Sequence, residues 1–279
     1  QDDISTASNF FELGGDSLSA INLSMQIYNK FNIQIGIKDI FNAPTIIELA
    51  KKIENSKVST NENKIHKVDN DIYYPVSSAQ RRMYYSASVD GKKSTLYNIS
   101  GGLKLDKMPD VDRLEKCFRK IINENESLRT YFEVEDGDVV QKISNQIEFH
   151  IELEKDIKSN IEEIAQKFIK PFDLSKAPLF RVKLVELKNE KSLLLIDMHH
   201  IISDGTTIKI LTNQISKLYN GQNVENNAID YKDFAVWENS NMKNGNCKES
   251  EDYWQQQFED KIPILELPLD YVRPAKQSF

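Results

Sequence analysis

The sequence predicts an α+β fold in two parts, a small helical bundle followed by a larger layered domain. Three observations carry this. Residues up to 55 show only the helical period of apolar residues, residues 72–279 mix that period with strand-like runs, and residues 56–71 between them turn polar and lose all period. The division is therefore 1–55 for the first domain, 56–71 for a linker and 72–279 for the second domain. A length of 279 residues, above the usual size of one domain, agrees with two. Alternating βα units are not sustained, so helices layered on hairpins are expected rather than a doubly wound parallel sheet.

In the first domain, Leu18, Ile21, Met25 and Tyr28 form a helical stripe after Ser17. A further helix begins at "APTIIELAKKI", where Thr45 and Glu48 have capping-box spacing and Ile46, Leu49, Ala50 and Ile53 supply an apolar face. In the second domain, "SSAQRRMYYSASV" reads as a helix, as does "DVDRLEKCFRKIINENESLR" through Leu114, Cys117, Phe118, Ile121 and Ile122. "RTYFEVEDGDVVQKI" places two strand-like runs about Asp136-Gly137, a hairpin signal. "IEFHIEL" alternates as a strand should. "IKSNIEEIAQKFIK" is helical and stops at Pro171, which cannot continue it. "LFRVKLVEL" and "SLLLIDMHH" are strands about the polar turn "KNEK", and helices follow at "TTIKILTNQISKLYN", "YKDFAVWENS" and "SEDYWQQQF".

Composition narrows the function classes. A net charge of -7 argues against nucleic acid, because phosphate binding needs a basic face. No apolar run approaches the roughly 20 residues that cross a bilayer, so no membrane partner is expected. The opening QDDISTASNF lacks the basic and apolar regions of a signal peptide, and Cys117 and Cys247 stand far apart without CxxC spacing. A reducing, cytoplasmic compartment is the expectation.

Two stretches carry chemistry. In "FFELGGDSLSAINL", Gly14 and Gly15 allow a turn closed to other residues, and the helix that follows offers its free N–H groups at its start. A phosphate on Ser17 would sit at that positive helix end, and capping by Asp16 or Ser17 is the alternative. In "DMHHIISDG", His199 and His200 are adjacent at a strand end, so they point to opposite faces and do not readily grip one metal; no metal site is expected. An imidazole, with an ordinary pKa of about 6.5, suits the handling of an α-amine with a pKa of about 8 during amide formation.

"FFELGGDSLSAINL" followed by "IFNAPTIIELAKKI" resembles the thiolation, or peptidyl carrier, domain of non-ribosomal peptide synthetases. The resemblance covers about residues 8–54 and implies a 4'-phosphopantetheine arm on Ser17, added by a phosphopantetheinyl transferase. The family's first helix would precede residue 1, so the carrier is expected to be partial. Many carriers have histidine where Asp16 stands, so Asp16 leaves the downstream partner open.

His199 to Gly205 fits HHxxxDG, and three more stretches place the second domain beside synthetase condensation domains. "SSAQRRMY" looks like their opening SxAQxR(L/M)(W/Y) motif. "NENESLRTYF" resembles RHExLRTxF from Glu126 onward, with Glu124 and Asn125 in place of arginine and histidine. "YKDFAVW" matches YxDFAVW. The resemblance implies a chloramphenicol acetyltransferase-like α/β sandwich lobe in which His200 is catalytic, Asp204 is structural and pairs with Arg82, and Gly205 allows a tight turn and close approach to the channel. It implies peptide-bond formation between carrier-bound aminoacyl thioesters. The partners are an upstream adenylation domain and a downstream carrier domain. An epimerisation domain shares the histidine motif but normally lacks SxAQxR, and a heterocyclisation domain would carry DxxxxD instead. A whole condensation domain has two similar lobes about a tunnel, so this chain is expected to hold the first lobe and the start of the second. By itself it would then be inactive, a non-catalytic truncated lobe.

Overall fold

The computed structural model describes residues 4–56, 65–89, 94–155, 161–187, 191–224, 229–260, 262 and 268–272. They fall into two compact units, 1–64 and 65–279.

The first unit has three helices, α1 (Ser17–Phe31), α2 (Ile37–Asn42) and α3 (Ile46–Glu54). Asn32 ends α1 in the left-handed conformation, with its N–H donated to the Tyr28 carbonyl. The Thr45–Glu48 capping box that the spacing predicts opens α3. The core is Ala20, Ile27, Ile33, Ile35 and Ile40, with Leu23, Leu49 and Ile53 against it. The stripe expected to face inward is not the one that does: Leu18, Ile21 and Met25 are exposed. Both stripes have helical spacing. The buried one is chosen by where Ile33, Ile35 and Ile40 lie, which spacing within α1 does not contain.

In the second unit, residues 65–71, expected to be linker, pack with the domain that follows. The Val68 N–H donates to Asp233 Oδ1 at 2.9 Å, and the Asp71 N–H to the Tyr74 hydroxyl at 2.7 Å. The rest of the polar stretch, 57–64, lies outside the described residues. The elements are β1 (Tyr74–Pro75), α4 (Ser78–Val89), β2 (Asn98–Leu105), α5 (Val111–Glu124), a 3-10 turn (Glu126–Arg129), β3 (Thr130–Glu135), β4 (Asp138–Ile143), β5 (Glu152–Lys155), α6 (Ile161–Phe168), β6 (Phe180–Glu186), β7 (Ser192–His199), α7 (Gly205–Tyr219), α8 (Tyr231–Lys243) and α9 (Lys248–Gln257).

Two sheets result. One has the order β1-β4-β3, the other β2-β7-β6-β5, and the β5–β6 pair alone among these is parallel. The β3–β4 hairpin turns at Asp136-Gly137 as the sequence predicts, both residues having positive φ (51° and 86°). Strand β7 lies inside the four-stranded sheet with both faces covered, which is why it reads as an apolar run rather than an alternation. Leu194 and Met198 face α5 and α7, whose Leu114, Phe118, Ile121, Leu211 and Ile215 complete the main core. Leu193 and Leu195 face Ile164 and Phe168 of α6.

Two differences from the sequence reading concern strands. "IEFHIEL" is not a strand until Glu152, although Phe149 and Ile151 are buried in the core. The Ile151 N–H donates to the Glu115 carboxylate at 3.0 Å instead of to a strand partner, so alternating burial occurs there without a ladder. Strand β2 lies in a stretch to which the sequence reading assigns no element, and it contains two glycines, Gly101 and Gly102. Gly102 packs closely on β7: a Cβ on it would lie 3.0 Å from the Leu195 side chain, which would have to shift.

Candidate active site

The end of β7 separates the two histidines as alternation requires. His199 is buried. Its Nδ1 accepts the Ile201 N–H at 3.1 Å, and the Tyr97 and Phe172 rings lie 6.2 Å away. Burial first, then the nearby His200, holds its pKa down at about 4, so it is neutral and packs against a cavity of about 240 Å³ on its own side.

His200 is exposed and faces the other way, into a cavity of about 410 Å³. Its Nδ1 lies 2.7 Å from the Ser203 carbonyl oxygen. A carbonyl only accepts, so Nδ1 carries the hydrogen and Nε2 presents its lone pair. The His200 N–H donates to the Tyr97 carbonyl at 2.7 Å, which ties the turn to the residue ahead of β2. The result is a fixed tautomer with a basic nitrogen open to the cavity, which can accept a proton from a bound nucleophile.

Asp204 stands next to this group as the N-cap of α7. Its Oδ1 accepts the Thr207 N–H at 2.7 Å and the Thr207 hydroxyl at 2.8 Å. Partial burial raises the pKa of this carboxyl, but the Thr207 and Thr206 hydrogen bonds and the nearby His200 outweigh it, so the pKa is lowered overall. The expected ion pair with Arg82 does not form: no such contact occurs within 4.0 Å, and both side chains are exposed. Asp204 meets its need for donors locally, through the helix it caps. Gly205 also differs from expectation. Its φ is not positive, and a Cβ on it would meet nothing within 4 Å, so no tight turn requires glycine there.

The SxAQ stretch is a capping box, a signal present in its Ser77–Gln80 spacing. The Ser77 N–H donates to Gln80 Oε1 at 3.0 Å, and the Gln80 N–H donates to Ser77 Oγ at 3.1 Å. Gln80 also lines the His200 cavity. Helix α8 is held against this helix start, because Glu238 accepts from the Ser78 N–H and hydroxyl at 2.7 and 2.9 Å. Tyr231, at the start of α8, lines the same cavity.

In the first unit, capping of α1 is resolved in favour of Asp16. Its Oδ1 accepts the Ser19 N–H at 2.7 Å, and Ser19 Oγ accepts the Asp16 N–H at 2.7 Å. Hydrogen bonds from Ser19 hold the Asp16 carboxyl below its ordinary pKa. Ser17 is left as the first helical residue, exposed, with no hydrogen bond to its hydroxyl among the described residues. Gly14 has φ 96°, and a Cβ on Gly15 would lie 2.5 Å from the Phe10 ring, so the turn before it admits only glycine at these two positions. A hydroxyl unused by its own cap and open on one side fits attachment of a phosphodiester-linked arm.

Comparison with known proteins agrees with both units. The condensation domain family matches residues 70–279, and the phosphopantetheine attachment site family matches residues 1–53. Surfactin synthase subunit 2 of Bacillus subtilis (strain 168) is 42% identical over 273 residues, covering 97% of this chain and 8% of that protein. Tyrocidine synthase 3 of Brevibacillus parabrevis is 39% identical over 271 residues, covering 97% of this chain and 4% of that protein. Among solved structures, the X-domain from teicoplanin biosynthesis superposes with TM-score 0.66 at 21% identity, over 76% of this chain and 49% of that one. A starter condensation domain of the rhizomide synthetase gives TM-score 0.60 at 17% identity, over 69% and 50%. The chain thus spans less than a tenth of these curated relatives and about half of these structural ones.

Proposed function

The chain belongs to the condensation domain family, with a phosphopantetheine attachment domain ahead of it, and from that premise we propose that it forms peptide bonds by aminolysis of a carrier-bound thioester. One observation carries the reading: His200 has its Nδ1–H spent on Ser203 and its Nε2 open to a cavity. When bound on Ser17, the phosphopantetheine arm would supply the thiol on which an upstream aminoacyl or peptidyl group is held as a thioester. His200 Nε2 positions the attacking amine, belonging to an amino acid on a downstream carrier, and takes up its proton as the C–N bond forms. Asp204 keeps the turn and α7 in place beside His200 and does not enter the chemistry. The partners of this reading are an upstream adenylation domain, the downstream carrier and a phosphopantetheinyl transferase.

The test is His200→Ala in the complete synthetase with both carriers charged. Peptide formation should fall by roughly 10² to 10⁴, the usual worth of a positioned acid-base group, while carrier loading stays intact. Full turnover in that variant would remove His200 from the reaction.

A further inference from the structure

The His200 cavity has a second polar wall. Tyr231 lines it with about 38% of its surface exposed, and its hydroxyl lies 3.0 Å from Ser77 Oγ. Ser77 is fully buried, and its Oγ already accepts the Gln80 N–H at 3.1 Å. A buried hydroxyl hydrogen left without an acceptor is costly, and among the described residues the Tyr231 oxygen is the acceptor within reach. Ser77 therefore donates to Tyr231, and the Tyr231 hydrogen is left to point into the cavity. Gln80 N–H, Ser77 O–H and Tyr231 O–H form a chain in which each bond polarises the next.

Four other polar side chains on these walls are engaged elsewhere, while Ser127 and Gln214 line the cavity as well. Asn125, Thr130, Gln141 and Thr207 each aim a side-chain hydrogen at a protein oxygen. Burial raises the phenol pKa of Tyr231, the Ser77 bond opposes this, and Glu238 and Asp204 raise it further, so the O–H stays protonated. His200, Asp204 and Tyr231 all line this one cavity.

We propose that Tyr231 is a catalytic hydrogen-bond donor to the thioester carbonyl oxygen as that oxygen gains negative charge, with Ser77 as its positioning residue. The inference rests on the aminolysis reading. The amine lone pair makes the C–N bond while the carbonyl π pair moves onto oxygen. The amine proton passes to His200 Nε2. The carbonyl then reforms as the C–S bond breaks, and that proton goes to the leaving sulfur. Tyr231 keeps its own proton throughout and stabilises the transient charge on oxygen, the place where a preorganised donor contributes most.

Two measurements test this. On the chain itself, carbon-13 NMR of labelled tyrosine Cζ follows the phenol titrations, with Tyr231 assigned through Tyr231→Phe. If Ser77 donates, Ser77→Ala removes a bond that favours phenolate, and Tyr231 titrates at higher pH. A shift to lower pH, or none, overturns the proposal. In the complete synthetase, Tyr231→Phe keeps the ring against Phe234 but loses the donor. It should lower kcat by roughly 10² to 10³ and leave KM for both carrier substrates within about twofold. Unchanged kcat, or a loss confined to KM, overturns it. Measured alongside, His200→Ala separates the two readings: full turnover in that variant defeats aminolysis through His200, whereas loss there with a fully active Tyr231→Phe defeats only the role of Tyr231.

Discussion

At His199, burial among Tyr97, Phe172 and the backbone of Ile201 keeps the imidazole neutral, with a pKa of about 4 against roughly 6.5 in an unfolded chain. The sign of the pH dependence follows. Between these values the unfolded state binds more protons than the folded one, so stability is full above about pH 6.5 and is lost as pH falls toward about 4. The loss is on the order of 3 kcal/mol, at about 1.4 kcal/mol per pH unit. In His199→Asn, whose amide oxygen can still accept the Ile201 N–H, the slope of urea stability over that window should flatten relative to the wild type. An identical slope would mean that His199 is not the proton-linked group. At Ser17 and Asp204, by contrast, the deciding fact is which side chain spends itself on a helix cap: Asp16 caps α1 and leaves Ser17 free to be modified, while Asp204 caps α7 and has no need of Arg82.

Helix starts position much of the site. Ser77 with Gln80, Asp204 with Thr207, and Asp16 with Ser19 are reciprocal caps, each fixing the entry angle of a helix that carries a site residue. Helix α8 is held by a further contact, Lys232 Nζ to Glu126 Oε2 at 2.9 Å, with the lysine side chain 1% exposed and lying over the Tyr74 ring. This pair joins α8 to the 3-10 turn ahead of β3. Glu126→Gln takes the carboxylate from a buried ammonium, leaving it the Asn70 and Tyr74 oxygens at 3.4 and 3.5 Å, and should cost up to roughly 3 to 5 kcal/mol. Lys232→Met combined with Glu126→Gln should recover most of that in urea unfolding of the chain. Costs that simply add in the double variant would show that the two side chains are not coupled.

At the scale of the whole molecule, the phosphopantetheine attachment match and the condensation domain match fall on separate compact units of one chain. Exposed apolar side chains include Leu18, Ile21 and Met25 on α1, Tyr253 and Trp254 on α9, and Phe258 just after it. The carrier reading predicts that a phosphopantetheinyl transferase with CoA adds one arm to the synthetase at this carrier. Peptide mass spectrometry should find it on the fragment containing Ser17 and not on the corresponding fragment of a Ser17→Ala variant. An arm on Ser19 or Ser24 instead would move the attachment site.

The sequence by itself determined most helices, the Asp136-Gly137 hairpin and the opposite facing of His199 and His200, because each depends on a period or a turn preference within a few residues. It also contained Ser17, HHxxxDG and YKDFAVW in order, which is enough to place the family. The tertiary structure alone decided which stripe of α1 is buried and that β2 forms despite two glycines. It alone showed that Phe149 and Ile151 are core without a strand ladder and that Asp204 caps α7 rather than pairing with Arg82. Each of these turns on a partner far away in sequence or on a competition among nearby donors. The contact of Ser77 with Tyr231 spans 154 positions. No local pattern encodes such a distance, and only packing α8 against the start of α4 brings the two hydroxyls together.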